Sequence, residues 1–397
     1  MPKPDSKKLF ALTAAALCLP GYSGEARAWA DTESEASYRF SFYNEASLPA
    51  SATNGRDGQR YQVLSNQFHL LRPVGEEFDY SADFAVETMS GASPWYIVPG
   101  DTGKPIQIMS GATIEDRRFA LDLKGRRYRE NEGRESLRLG VSTERDYLSL
   151  NGGLESETSF DNKRRTLSLG VGFSHDQLRP TDGASTRFPD RIGSAHKNTV
   201  NAFAGLSQLL GPDTVVSGGL SFTYNNGFLS DPYKEAYVAG GIVPDARPSS
   251  REQGAVDLRL RQFFPGLNAA LHLDYRFFRD SWGVGSDTIE LGWYQNLPAD
   301  WKASANLRWY EQGATDFYRP YYNVARDDGD YSSDYRLSAY GAYSARLGAT
   351  KEWNGWTFAL AGEYYDSSAS YTIRRVDSEN PGLVDFMVIS AAVRYKF

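Results

Sequence analysis

The feature that most constrains this chain is a period of two. Leu167, Leu169, Val171 and Phe173 alternate with Ser168, Gly170, Gly172 and Ser174. Leu271, Leu273, Tyr275 and Phe277 alternate with His272, Asp274, Arg276 and Phe278. Ile289, Leu291 and Trp293 alternate with Glu290, Gly292 and Tyr294, and Leu307 and Trp309 with Asn306, Arg308 and Tyr310. One face is apolar; the other is polar, charged or tiny, the pattern of half-buried β-strands. No stretch reads as an amphipathic helix, and none as a domain linker. The chain is therefore expected to be all-β.

The connections carry a second signal. Gly211-Pro212-Asp213, Pro265-Gly266, Pro298-Ala299-Asp300 and Asn354-Gly355 are very short and use residues suited to tight turns. Asn44 to Gly58, Ser90 to Ala112, His175 to Lys197, Asn226 to Gly254, Gln312 to Asp334 and Ser367 to Gly382 are long and polar. In the second half short and long are read as strictly alternating. Membrane barrels have this asymmetry of tight periplasmic turns and long extracellular loops. The expected fold is a transmembrane antiparallel up-and-down β-barrel of about sixteen strands, with both ends periplasmic.

The rival is a soluble β-sandwich or propeller, which would also alternate. There the polar face would meet bulk water and favour Lys, Glu and Thr. Here it mixes Gly and Ser with Arg, Asp and His, as a crowded barrel interior would. Trp282, Trp301, Trp309, Trp353, Trp356 and Tyr395 fall near strand ends and are read as interface girdles. With 41% hydrophobic and 23% charged residues, the chain lacks the apolar runs of about 20 residues that membrane helices need. An aromatic content of 14% argues against disorder, and a net charge of −7 against nucleic-acid binding.

The first thirty residues read as an address. Lys3, Lys7 and Lys8 precede an apolar run from Leu9 to Leu19, and Ala28-Trp29-Ala30 offers a small-x-small cleavage site. The expected division is a signal peptide at 1–30 and a barrel at 31–397. The single Cys18 lies in the leader after Leu17, a poor lipidation context, so the mature chain is cysteine-free. The last strand places Met387, Ile389, Ala391, Val393, Tyr395 and Phe397 on one face. Its ending, Tyr395 and Phe397, resembles the C-terminal signal read by the barrel assembly machinery.

Catalytic signals are sparse. No GxSxG, HExxH, P-loop or CxxCH motif occurs. His272 shares a predicted lumen face with Asp274 and Arg276, and neighbouring strands add Asp257, Arg259, Arg261, Glu290 and Arg308. This set is either a charged constriction or small-solute site, or an ion-pair network bracing the wall. His175 and His196 flank one long loop, too little to specify a metal. No catalytic, cofactor or metal residue is assigned.

Some loop segments are too specific to be spacers. They include Ser90-Gly91-Ala92-Ser93-Pro94-Trp95, its echo Ser110-Gly111-Ala112-Thr113, and Gly227-Phe228 followed by Leu229-Ser230-Asp231-Pro232-Tyr233-Lys234. Tyr310 to Tyr318 opens another long loop. These could form an outer binding surface or fold inward as a plug. With Ser142 to Tyr147 and Tyr275 to Gly283, they resemble, over nearly all of the mature chain, a proteobacterial outer-membrane family of unknown function. The resemblance implies a Gram-negative outer-membrane location. Genes of that family often neighbour a flavin (FMN) transferase, a thioredoxin-like protein and a small lipoprotein, which implies a link to an exported redox system. Glu87-Thr88-Met89 departs from an Asp-rich approach to Ser90, which speaks against a metal role there. Expected partners are outer-membrane lipid, the assembly machinery and a periplasmic redox protein or lipoprotein. Three functions follow as alternatives: a channel for small polar solutes, a scaffold for redox partners, and a hydrolase using His272 or His69.

Overall fold

A computed structural model describes residues 33–101, 103–110, 114–129, 133–186 and 188–397. The predicted leader, with Cys18, and Gly111-Ala112-Thr113 lie outside the described residues. The first nine barrel strands are β1 (Glu35–Glu45), β2 (Gln62–Val74), β3 (Phe78–Gly91), β6 (Ile114–Arg129), β7 (Gly133–Thr143), β8 (Tyr147–Phe160), β9 (Arg165–Leu178), β10 (Ala195–Gly211) and β11 (Thr214–Gly227). Seven more follow: β14 (Ser250–Phe264), β15 (Ala269–Asp280), β16 (Gly285–Leu297), β17 (Trp301–Gln312), β18 (Tyr340–Trp353), β19 (Trp356–Ser368) and β20 (Phe386–Lys396). Each pairs antiparallel with its neighbour, and β1 pairs with β20, closing one barrel. Two small hairpins, β4 (Pro94–Pro99) with β5 (Pro105–Met109) and β12 (Glu235–Val238) with β13 (Gly241–Pro244), stand outside the barrel wall.

Local chemistry explains the closed end. At Asn354-Gly355 both residues have positive φ, 47° and 82°, between the paired Trp353 and Trp356. That is a two-residue turn whose twist matches the flanking strands. On the outer wall Leu139, Leu169, Leu220, Leu307, Leu347 and Leu360 are all exposed. In water so large an apolar surface would be anomalous; in lipid it is the face that matches its solvent. Trp301, Trp353, Trp356 and Tyr395 are exposed around the short-turn rim, with Trp356 and Tyr395 stacked at 4.5 Å. This is a transmembrane β-barrel.

Three expectations change. Trp282 belongs to no girdle: it is buried with Phe317, Tyr318 and Leu337 in the outer loops. Short and long connections do not strictly alternate, because 144–146 and 281–284 are also short, at the long-loop end. Predicted loops are drawn too wide: the loop from His175 to Lys197 begins too early and ends too late, since His175 and His196 lie inside β9 and β10. Most barrel strands have 12 to 17 residues and exceed the roughly 9–11 that lipid requires, so they project past it at the outer end. There their outward side chains meet water and turn polar, which a sequence reader takes for loop.

Candidate functional site

The predicted lumen charges lie together on β14 to β17. Register sets Asp257 opposite Arg276, Arg259 opposite Asp274 and Arg261 opposite His272, then Asp274 opposite Glu290 and Glu290 opposite Arg308. Arg276 Nη1 reaches Asp257 Oδ2 at 2.8 Å and Arg261 Nη1 reaches Asp274 Oδ1 at 2.6 Å. Arg259 and Arg308 are exposed into the lumen and form no ion pair among the described residues. The His272 ring packs on Tyr294, with centroids 4.3 Å apart.

The sequence analysis missed the opposite wall. Lys124 pairs with Glu155 (2.6 Å), Arg138 with Asp122 (2.7 Å), Arg134 with Glu157 (2.7 Å) and Arg126 with Asp79 (2.7 Å). The Asp122-Leu123-Lys124-Gly125-Arg126 alternation carried that signal. His69 Nδ1 pairs with Asp83 at 2.7 Å and sits opposite Ser37, an order reminiscent of a hydrolytic triad. No hydrogen bond joins Ser37 to His69 among the described residues, so the arrangement stops at a dyad.

The outer mouth is closed by its own loops. Inward-facing Tyr43, Val63, Met89 and Val388, near the outer strand ends, are only 0–4% exposed. The short 3-10 turn Tyr335–Leu337 reaches this level: Gln312, the last residue of β17, donates to Arg336 O (3.0 Å) and Ser338 O (2.6 Å). Arg60 lies over the Tyr335 ring and pairs with Glu45 at 2.6 Å.

At the centre of this cap six charges interlock. Arg247 bridges Asp245 (2.7 Å) and Asp334 (2.9 Å), Arg336 Nη2 reaches Asp231 (2.9 Å) and its Nε reaches Asp334 (2.7 Å). Lys234 Nζ lies 3.9 Å from Asp334 and donates to Pro94 O at 3.0 Å. Three carboxylates thus face three cations, which limits the desolvation cost of burying them. Burial opposes ionisation of Asp334 and Asp231, but Arg336, Lys234 and Arg247 overcome it and hold both carboxyls below their ordinary value. Burial lowers Lys234 and raises Asp245.

Every residue of the Leu229–Lys234 segment has a place here. Leu229 packs on the Trp282 cluster, and Ser230 Oγ accepts from Arg247 N at 2.9 Å. Asp231 Oδ1 accepts from Tyr233 N (3.0 Å), a local turn, and Pro232 O accepts from Arg191 (3.1 Å). The Tyr233 hydroxyl donates to Asp146 and accepts from Thr181 N at 2.9 Å. The Ser90–Pro94 segment is the other half of the clasp. Gly91 has φ 131°, and a Cβ there would overlap the Arg60 carbonyl oxygen. Beyond Ala92, Ser93 O accepts from Ser110 N (2.9 Å) while Ser110 Oγ accepts from Ser93 N (3.2 Å), so these two serines clamp the β4–β5 hairpin. That hairpin joins its neighbours through Gln107 N to Ala52 O, 2.8 Å, and Tyr321 Oη to Gly103 O, 3.2 Å. The loops fold on one another rather than standing free as a binding surface.

At the other end of the last strand Tyr395 and Phe397 face outward, stacked at 5.9 Å. Phe397 exchanges two backbone hydrogen bonds of 2.9 Å with Ser34 across the closing seam.

None of the curated proteins matches the chain. Among solved structures, the siderophore receptor PirA from Pseudomonas aeruginosa is 11% identical, covering 85% of this chain and 56% of its own at a TM-score of 0.44. A bacterial polysaccharide outer membrane secretin is 9% identical, covering 91% and 98%, at 0.47. OmpT of Vibrio cholerae is 8% identical, covering 92% and 97%, at 0.46. The chain spans about half the length of the siderophore receptors it matches. These are likenesses of barrel architecture and carry no functional argument. The family model described as a protein of unknown function (DUF3570) matches residues 9–383, and the chain belongs to that family.

Proposed function

We propose that this barrel is a gated outer-membrane channel for small polar solutes, with anions favoured. The observation that carries this reading is a charged lumen in which Arg259 and Arg308 are exposed and form no ion pair within 4 Å among the described residues, beneath a cap whose charges are matched internally. A sixteen-strand wall leaves room for water. Unpaired guanidinium groups in a low-dielectric tube raise the local concentration of anions. The cap supplies closure: its ion pairs join the loops 228–249 and 313–339, Lys234 adds a hydrogen bond to Pro94 O, and these contacts can part without touching the barrel ladder. Export through a cleaved leader and insertion through the Tyr395–Phe397 end belong to the same reading.

Planar-bilayer recording of the purified protein tests it. We expect rare openings at low voltage, with the reversal potential in a salt gradient displaced toward the anion. Absence of conductance at any voltage, in the native protein and in a variant with a loosened cap, would overturn the channel and leave the scaffold reading, which pull-down of a redox protein from membranes would support.

A further inference from the structure

At the rim, where β6 begins and β7 turns into β8, three carboxylates converge. One oxygen each from Asp116, Glu144 and Asp146 lie within 4.8 Å of one another. Acidic residues crowd together on many surfaces without consequence, but here Asp116 and the Glu144 side chain are buried and Asp146 is half-buried. Asp116 is 4% exposed. Its Oδ1 accepts from Arg117 N at 2.8 Å, and its Oδ2 is buried with no hydrogen-bond partner among the described residues. The Glu144 side chain is 6% exposed, accepts no hydrogen bond among the described residues, and has one cation near it, Arg118 Nε at 3.9 Å. Arg118 is committed elsewhere: its Nη1 pairs with Glu87 at 2.9 Å and its Nε donates to Ser142 at 2.8 Å. Buried carboxylates are paired or coordinate metal. Here three meet, and among the described residues the one ion-pair contact any of them makes is that of Glu144 with Arg118, while Arg145 acts on Asp146 at longer range.

The geometry points to a calcium site formed by Asp116, Glu144 and Asp146 at the outer rim. The donors are all oxygen, which selects a hard cation over zinc or copper, and a turn carrying two of the three ligands suits the flexible shell of calcium better than the strict octahedron of magnesium. Backbone carbonyls and water would complete the coordination. Asp146 also accepts from the Tyr233 hydroxyl, so occupancy is wired to the cap loop that holds Asp231 and Lys234. This inference stands whether or not the barrel conducts.

The test uses the full barrel, purified and refolded without lipopolysaccharide, with calcium and terbium as probes. Tyr147 and Tyr233, beside Asp146, are placed to sensitise terbium emission. We expect saturable emission displaced by calcium with a Kd on the order of 10⁻⁴–10⁻³ M, and calcium-dependent protection of residues 228–249 from hydrogen exchange. Glu144→Gln and Asp116→Asn should each weaken binding tenfold or more, with heat-modifiable gel mobility showing that the barrel still folds. Native protein without emission or calcium displacement up to about 10 mM would overturn the site. So would binding that survives in both variants.

Discussion

Removing the Arg336 side chain is the sharpest perturbation of the cap. Arg336 Nη2 holds Asp231 at 2.9 Å, and its Nε holds Asp334 at 2.7 Å. In Arg336→Ala three buried carboxylates would face only Lys234 and Arg247. Leaving a buried charge uncompensated costs about 3–5 kcal/mol. At about 1.4 kcal/mol per factor of ten, the closed cap should lose roughly 10²-fold to several thousand-fold of its population relative to open forms. The barrel ladder is untouched, so heat-modifiable mobility should be unchanged. Two assays read the change: open probability in bilayers, and hydrogen exchange at 228–249 and 313–339. The double variant Arg336→Ala/Asp231→Ala restores two carboxylates against two cations and should recover part of the protection. An intact Arg336→Ala barrel with native exchange and native open probability would refute the reasoning. Acid should act in the same direction. Asp231 and Asp334 titrate below their ordinary value in the folded cap, so their contribution is present above about pH 4 and is lost as pH falls through their folded values.

Gly91→Ala should loosen the β4–β5 hairpin, because a Cβ would overlap the Arg60 carbonyl at φ 131°; a cost of about 1–3 kcal/mol should show as faster exchange at residues 94–109. Arg259→Glu with Arg308→Glu should move the reversal potential toward the cation, and an unmoved potential would remove these arginines from selectivity. In calcium-free buffer, burial first and then the neighbouring Asp116, Asp146 and Glu87, against Arg118, push the Glu144 carboxyl up to about 9. A raised carboxyl contributes stability that is complete below its ordinary value and lost as pH rises through 9, so urea midpoints should fall over that span and Glu144→Gln should flatten the decline.

The candidate site was legible in pieces. Asp257, Arg259, Arg261, His272, Asp274, Arg276, Glu290 and Arg308 could be assigned to one face because strand alternation is local, and adjacent antiparallel strands bring such faces together. Leu229 to Lys234 and Ser90 to Pro94 stood out as segments too particular to be spacers, yet nothing local to either says that Lys234 donates to Pro94, 140 positions away. Trp282 misled for the same reason: an aromatic near a strand end is as well suited to a buried cap as to a lipid interface, and its partners Phe317 and Leu337 arrive from another loop.

Sequence alone determined that this chain is a barrel, since a two-residue period and turn residues act between neighbours along the chain. It also determined the approximate strand number and which wall meets lipid. Only the tertiary structure decided that the outer loops lock into one cap, which cations answer which carboxylates, and that Asp116 meets Glu144 and Asp146. Those contacts depend on distances across the closed mouth, set by register and curvature around all sixteen strands, and no short window of residues encodes them.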